Sequence, residues 1–211
     1  MRHAACARVT VAVVFVMTIT SGTPLRAAPV VVGDQTAWRE ISDSLRKLEG
    51  MSYRMKMTAP GQTVIVERVP PHSMRMITQI AGQVGEVESV TVGAETRARV
   101  NGPNAPGTWF SCGEANPPLP PPVDLRNFLG KVEASRGPDT VVEGTPVRSY
   151  EITSTFQGNG QTATTKTTFY IGVETGLPRR SVTPYALGPG DVVIDYYDYG
   201  TPIVISLPPC P

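Results

Sequence analysis

Histidine is nearly absent from this chain of 211 residues. There are two, and His3 falls in an N-terminal segment that reads as removable. His72, between prolines and a strand-like run, is then the one imidazole on which a serine-type triad could be built. No Gly-x-Ser-x-Gly elbow accompanies it. Cysteine is scarce too, three in all, so with one mature histidine there are too few of the usual ligands for a metal site. The phosphate-loop pattern and a Gly-x-Gly-x-x-Gly opening a helix are both missing. Asp195 and Asp198 lie three apart on one strand and point to opposite faces, which suits a strand end and turn better than acid/base work. Neither catalysis nor a cofactor is expected.

A long apolar run is missing as well. Arg2 and Arg8 precede an apolar core, Val9 to Thr20, and Ser21, Gly22, Pro24 and Ala27-Ala28 follow it. That core is shorter than the roughly 20 residues a membrane-spanning helix needs. A basic start, a short apolar core and a small-residue exit describe a secretory signal over residues 1–28, cut after Ala27 or Ala28. Cys6 lies before the core, where it cannot be a lipidation acceptor, so residues 29–211 are expected to form one soluble, exported domain. Losing Arg2, Arg8 and Arg26 leaves 16 basic against 18 acidic residues, a net charge of −2. No basic patch argues for nucleic acid or an anionic membrane. Cys112 and Cys210 remain, and in an oxidising compartment such a pair is most simply a disulfide. In the loop-entropy model it contributes about 3–4 kcal/mol and pins the C-terminal strand to the middle of the domain.

What is present is β-rich and punctuated by turns. A helix comes first, capped by Asp34 or Thr36, striped by Trp38, Ile41, Leu45 and Leu48, and stopped by Gly50. Strand-like runs follow: Tyr53 to Thr58, Thr63 to Val69, Ser73 to Gln79, Val84 to Val92, Glu95 to Val100 and Gly107 to Cys112. Pro117 to Pro122 is an extended crossing into a short helix, Asp124 to Leu129 or a little beyond. Strands resume at Val141 to Glu143, Val147 to Phe156, Thr164 to Val173, Arg179 to Thr183 and Val192 to Tyr199. Tyr53, Met55 and Met57 alternate with Arg54, Lys56 and Thr58, and Met74 and Met76 flank Arg75, so one strand face is apolar and rich in methionine. Methionine is flexible and polarizable and suits a surface that accepts variable apolar ligands; an ordinary core would use it too.

The C-terminal run of a strand, Glu174-Thr175-Gly176-Leu177-Pro178, the basic pair Arg179-Arg180, then Asp195-Tyr196-Tyr197-Asp198-Tyr199-Gly200-Thr201-Pro202 and an apolar stretch resembles the outer-membrane lipoprotein-sorting (LolA-like) superfamily. The resemblance implies an α+β fold, a strongly curved antiparallel sheet forming a half barrel whose concave face is closed by helices. It implies a soluble periplasmic carrier that holds the acyl chains of a lipoprotein or lipid and delivers them to a membrane-bound acceptor. The alternative is a periplasmic sensor or regulatory module of the same fold. The expected ligand-binding residues are Tyr53, Met55, Met57, Val66, Met74, Met76, Trp109, Phe169, Ile194 and Tyr196. A basic residue is expected inside the cavity, with Arg54, Arg68 and Arg75 all open. A monomer is expected, with lipid or acyl chains and a membrane donor or acceptor as partners.

Overall fold

A computed structural model of the protein describes residues 30–102, 107–114, 130–158, 161–186 and 188–209. The signal segment, the second helix expected at Asp124 to Leu129, and Cys210 lie outside the described residues. The strands are β1 Val30–Gly33, β2 Tyr53–Ala59, β3 Gln62–Val69, β4 Ser73–Ile80, β5 Glu86–Val92, β6 Glu95–Asn101, β7 Phe110–Glu114, β8 Gly130–Val142, β9 Thr145–Gly158, β10 Gln161–Gly172, β11 Pro178–Pro184 and β12 Asp191–Tyr197. They form one sheet in the order β1-β8-β9-β10-β11-β12-β2-β3-β4-β5-β6-β7. Two antiparallel meanders, β2–β7 and β8–β12, therefore meet where β12 pairs with β2. β1 lies parallel to β8 at one edge, β7 forms the other, and the sheet is curved and unclosed, as in a half barrel.

Helix α1, Gln35–Lys47, starts where the Asp34 carboxylate accepts from the backbone N–H groups of Thr36 (2.8 Å) and Ala37 (3.1 Å). That cap satisfies two donors the first helical turn leaves open. The inward stripe is Ala37, Ile41, Ser44 and Leu48, and Trp38 and Leu45 flank it half-buried. The stripe meets Val132, Ala134, Tyr150, Ile152, Phe169 and Ile171. Among the described residues α1 is the one α-helix, followed by a 3-10 turn over Leu48–Gly50. Of the helices expected to close the concave face, the described residues hold this one, packed on β8, β1 and β10.

Strand β8 also departs from expectation, which had strand only at Val141 to Glu143. It runs through Gly137-Pro138, a pair that reads as a turn. The register shifts between Arg136 and Asp139, and the Ser149 hydroxyl donates to the Pro138 carbonyl at 2.7 Å. A bulge is where a strand tolerates proline, because the missing N–H then interrupts no ladder bond. No helix among the described residues is long and apolar enough to cross a membrane.

Candidate ligand-binding face

Strand alternation places Tyr53, Met55 and Met57 on one face of β2, and the registers carry that face across the sheet. Met55 pairs with Tyr196 on β12 and Val66 on β3, and Val66 pairs with Met76 on β4. Met57 pairs with Ile194 and Val64, while Ile194 pairs with Ser181 and Ser181 with Phe169. Phe169 packs in the core beneath α1. Every expected ligand residue except Trp109 thus shares the helix side of the sheet. Val64 and Val66 are buried and the four methionines half-buried.

Trp109 is not brought to this face. Its ring lies 4.5 Å from the Arg99 guanidinium carbon, and Arg99 pairs with Glu88 on the outer face. The residue precedes β7, in a stretch with no alternation to read.

The same registers separate the three arginines by sheet face. Arg68 pairs with Tyr53 and Met74 and so joins the methionine face, whereas Arg54 and Arg75 point outward. The positive charge of Arg68 acts on the Tyr53 hydroxyl, and no carboxylate among the described residues forms an ion pair with Arg68. Tyr53 and Tyr196 lie 6.4 Å apart between ring centres, and Tyr196 and Phe169 6.5 Å. Burial pushes both phenols up, with Tyr53 adding to the shift at Tyr196, so both stay neutral. Beyond Met74 the row continues through Thr91 and Thr96, whose hydroxyls lie 2.9 Å apart. The face thus grades from aromatic and thioether groups to a polar margin.

The outer face of the same half carries a charge ladder. Asp198 and Glu67 each lie 2.8 Å from Arg54, Arg75 reaches Glu67 at 3.5 Å and Glu88 at 2.8 Å, and Arg99 meets Glu88 at 2.5 Å. Burial alone would raise the Glu88 carboxyl, but hydrogen bonds from Arg99, Arg75 and Asn101 outweigh it and hold the group below the usual carboxylate range.

Two contacts seat α1. The Tyr150 hydroxyl donates to the Glu40 carboxylate; burial first and Glu40 second push that phenol up to about 12. The Lys47 ammonium donates to the Thr175 carbonyl at 3.1 Å. Ser44 Oγ, on the underside of the helix, is buried with no hydrogen-bond partner among the described residues.

No protein-family model matches the chain, and no curated protein matches it either. Solved structures do. The lipoprotein LppX of Mycobacterium tuberculosis is 16% identical, with 82% of this chain and 100% of that one covered and a TM-score of 0.56. MucB is 15% identical, with 82% of this chain covered but 62% of MucB, and a TM-score of 0.47. A LolA superfamily protein from Nitrosomonas europaea is 14% identical, with coverages of 82% and 95% and a TM-score of 0.31. At such identities the likeness is one of fold, and the fold of this chain is similar to that of LppX.

Proposed function

We propose that the methionine face binds the acyl chain of a lipid or lipoprotein, with Arg68 at one end to meet an anionic or polar head. The protein would be a soluble, exported carrier that works in the periplasm as one domain and as a monomer. The observation that carries this reading is the convergence of Tyr53, Met55, Met57, Met74, Met76, Ile194 and Tyr196 on a single face with one arginine that has no carboxylate partner among the described residues. Binding would draw on apolar area removed from water, roughly 25 cal/mol per Å² or about 0.8 kcal/mol per methylene. A long chain held that way leaves slowly, so delivery calls for a receiver at a membrane. The half-buried methionines support the reading because thioether side chains re-pack around ligands of different shape.

Native mass spectrometry of the exported protein, followed by organic extraction and lipid identification, tests it. A stoichiometric lipid, lost from folded Met55→Lys and Met76→Lys variants, is the expected result. An apo mass that takes up neither fatty acid nor lipopeptide would sink the carrier reading and leave the sensor role of the same fold. Arg68→Leu should keep uptake of a neutral acyl ester and weaken that of a fatty acid anion.

A further inference from the structure

Helix α1, the one α-helix among the described residues, packs on β8, β1 and β10, away from β3–β6. A sheet is stable only when it buries a face against another layer, so that half must find its layer elsewhere. Val90 points to the outer face. It lies there by its pairing with Arg75 and Arg97, yet it is 4% exposed. Val69 and Val92 share that face and are half-buried.

The chain after β12 runs over this region. It turns through Asp198 and Gly200, both with positive φ (52° and 68°). The Gly200 N–H donates to the Ser52 carbonyl at 2.8 Å, and the Ser52 hydroxyl donates to the Thr201 carbonyl at 2.7 Å, which fixes one end at the entry to β2. At the other end the Pro208 carbonyl accepts from the Arg97 guanidinium on β6. Strands β3, β4 and β5 lie between. Four strand spacings are about 19 Å, a span that the seven extended steps from Thr201 to Pro208 can cover at about 23 Å. Ile203, Ile205 and Leu207 are half-buried while Ser206 is exposed and Val204 is 91% exposed, so alternate apolar side chains face the sheet. The segment belongs to no strand. Its side chains and its two fastened ends hold it in place.

We propose that residues 201–208 form a strap that serves β2–β6 as an outer layer, in place of a helix, and holds that half of the sheet in its curved form. The consequence falls on the opposite face. A helix packed on the inner side would occupy the methionine face; a strap on the outer side steadies the same strands and leaves that face free for a guest. Loosening the strap lets β3–β6 flex, and a bound acyl chain then leaves faster. This last step rests on the carrier reading; the layering role of the strap does not.

Two substitutions that charge opposite sides of the strap test it in the exported full-length chain. Ile205→Asp sets a carboxylate against the sheet, and Val204→Asp, one residue away, sets it in water. Hydrogen exchange in β4–β6 should be several-fold faster in Ile205→Asp and unchanged in Val204→Asp, with β8–β10 beneath α1 unaffected in both. A fluorescent fatty acid should leave Ile205→Asp several-fold faster than it leaves the parent or Val204→Asp. Equal exchange in the two aspartate variants would overturn the strap. If Ile205→Asp loses protection throughout the chain, Arg97→Leu decides, since it releases only the far end: faster exchange confined to β4–β6 upholds the strap, and no change overturns it. Faster exchange with an unchanged off-rate of bound probe would overturn the coupling to the methionine face. Faster exchange in a protein whose parent binds no probe would uphold the strap and refute the carrier reading.

Discussion

The two halves of the sheet cover their helix-side faces in different ways. Over β8–β10 the residues are branched or aromatic, Val132, Tyr150, Ile152, Phe169 and Ile171, and α1 closes on them so tightly that Ile41 and Tyr150 are 0% exposed. Over β2–β4 the corresponding face sets Met55, Met57, Met74 and Met76, all half-buried, around the buried Val64 and Val66, and a charge ladder lies on its other side. One half is a close-packed core in which a lost methylene is felt. The other is a compliant surface with its rigidity moved to the back.

The largest effect expected from breaking this contrast is at Ile41. Ile41→Ala should cost about 2–5 kcal/mol in urea unfolding, against about 1 kcal/mol for Met76→Ala, whose side chain is half-exposed. Equal losses would mean that the methionine face is core like the rest. Next comes the ladder. Glu88→Gln removes the negative charge that Arg75 and Arg99 share and turns one of its two acceptor oxygens into a donor amide, and should cost about 2 kcal/mol. Because the folded Glu88 carboxyl is held below its usual value of 4.5, its contribution is complete above that value and disappears as pH falls through the folded one. Urea midpoints followed into acid should therefore fall less in the Glu88→Gln protein than in the parent. Asp34→Ala removes the cap of α1 and should cost about 1 kcal/mol, with faster exchange at Thr36 and Ala37. The smallest effect has the opposite sign. Ser44→Ala removes a buried hydroxyl that lacks a partner among the described residues and should raise the urea-derived stability by about 1 kcal/mol or less. A loss there would show that Ser44 is bonded and that the roofed half is more polar than its packing suggests.

Much of the methionine face was legible because strands have a period of two. Once Tyr53, Met55 and Met57 are read as one face, the two-residue turn Pro60-Gly61 pairs Ala59 with Gln62 and so sets Tyr53 opposite Arg68. The signal that separates Arg68 from Arg54 and Arg75 lay in that turn. Trp109 was expected inside a strand from Gly107 to Cys112, but the strand starts one residue after it, at Phe110. Strand β8 hid behind Gly137-Pro138, since proline at a bulge and proline at a turn look alike until the neighbouring strand is placed. The phase of α1 was read slightly off because Ser44, a polar residue, occupies an inward position that apolar periodicity skips. The ladder could not be seen at all from charges taken singly, because each ion pair is made across strands.

The place of β12 between β11 and β2 has a consequence in time. Each meander can form from its own contiguous stretch of chain, but the seam between them is made by Val193 to Tyr197 pairing with Arg54 to Thr58. Contacts so distant in sequence are slow to form. The two halves become one sheet only after residues 193 to 197 have been delivered. A chain cut short before Asp191 has two hairpin arrays and no seam between them.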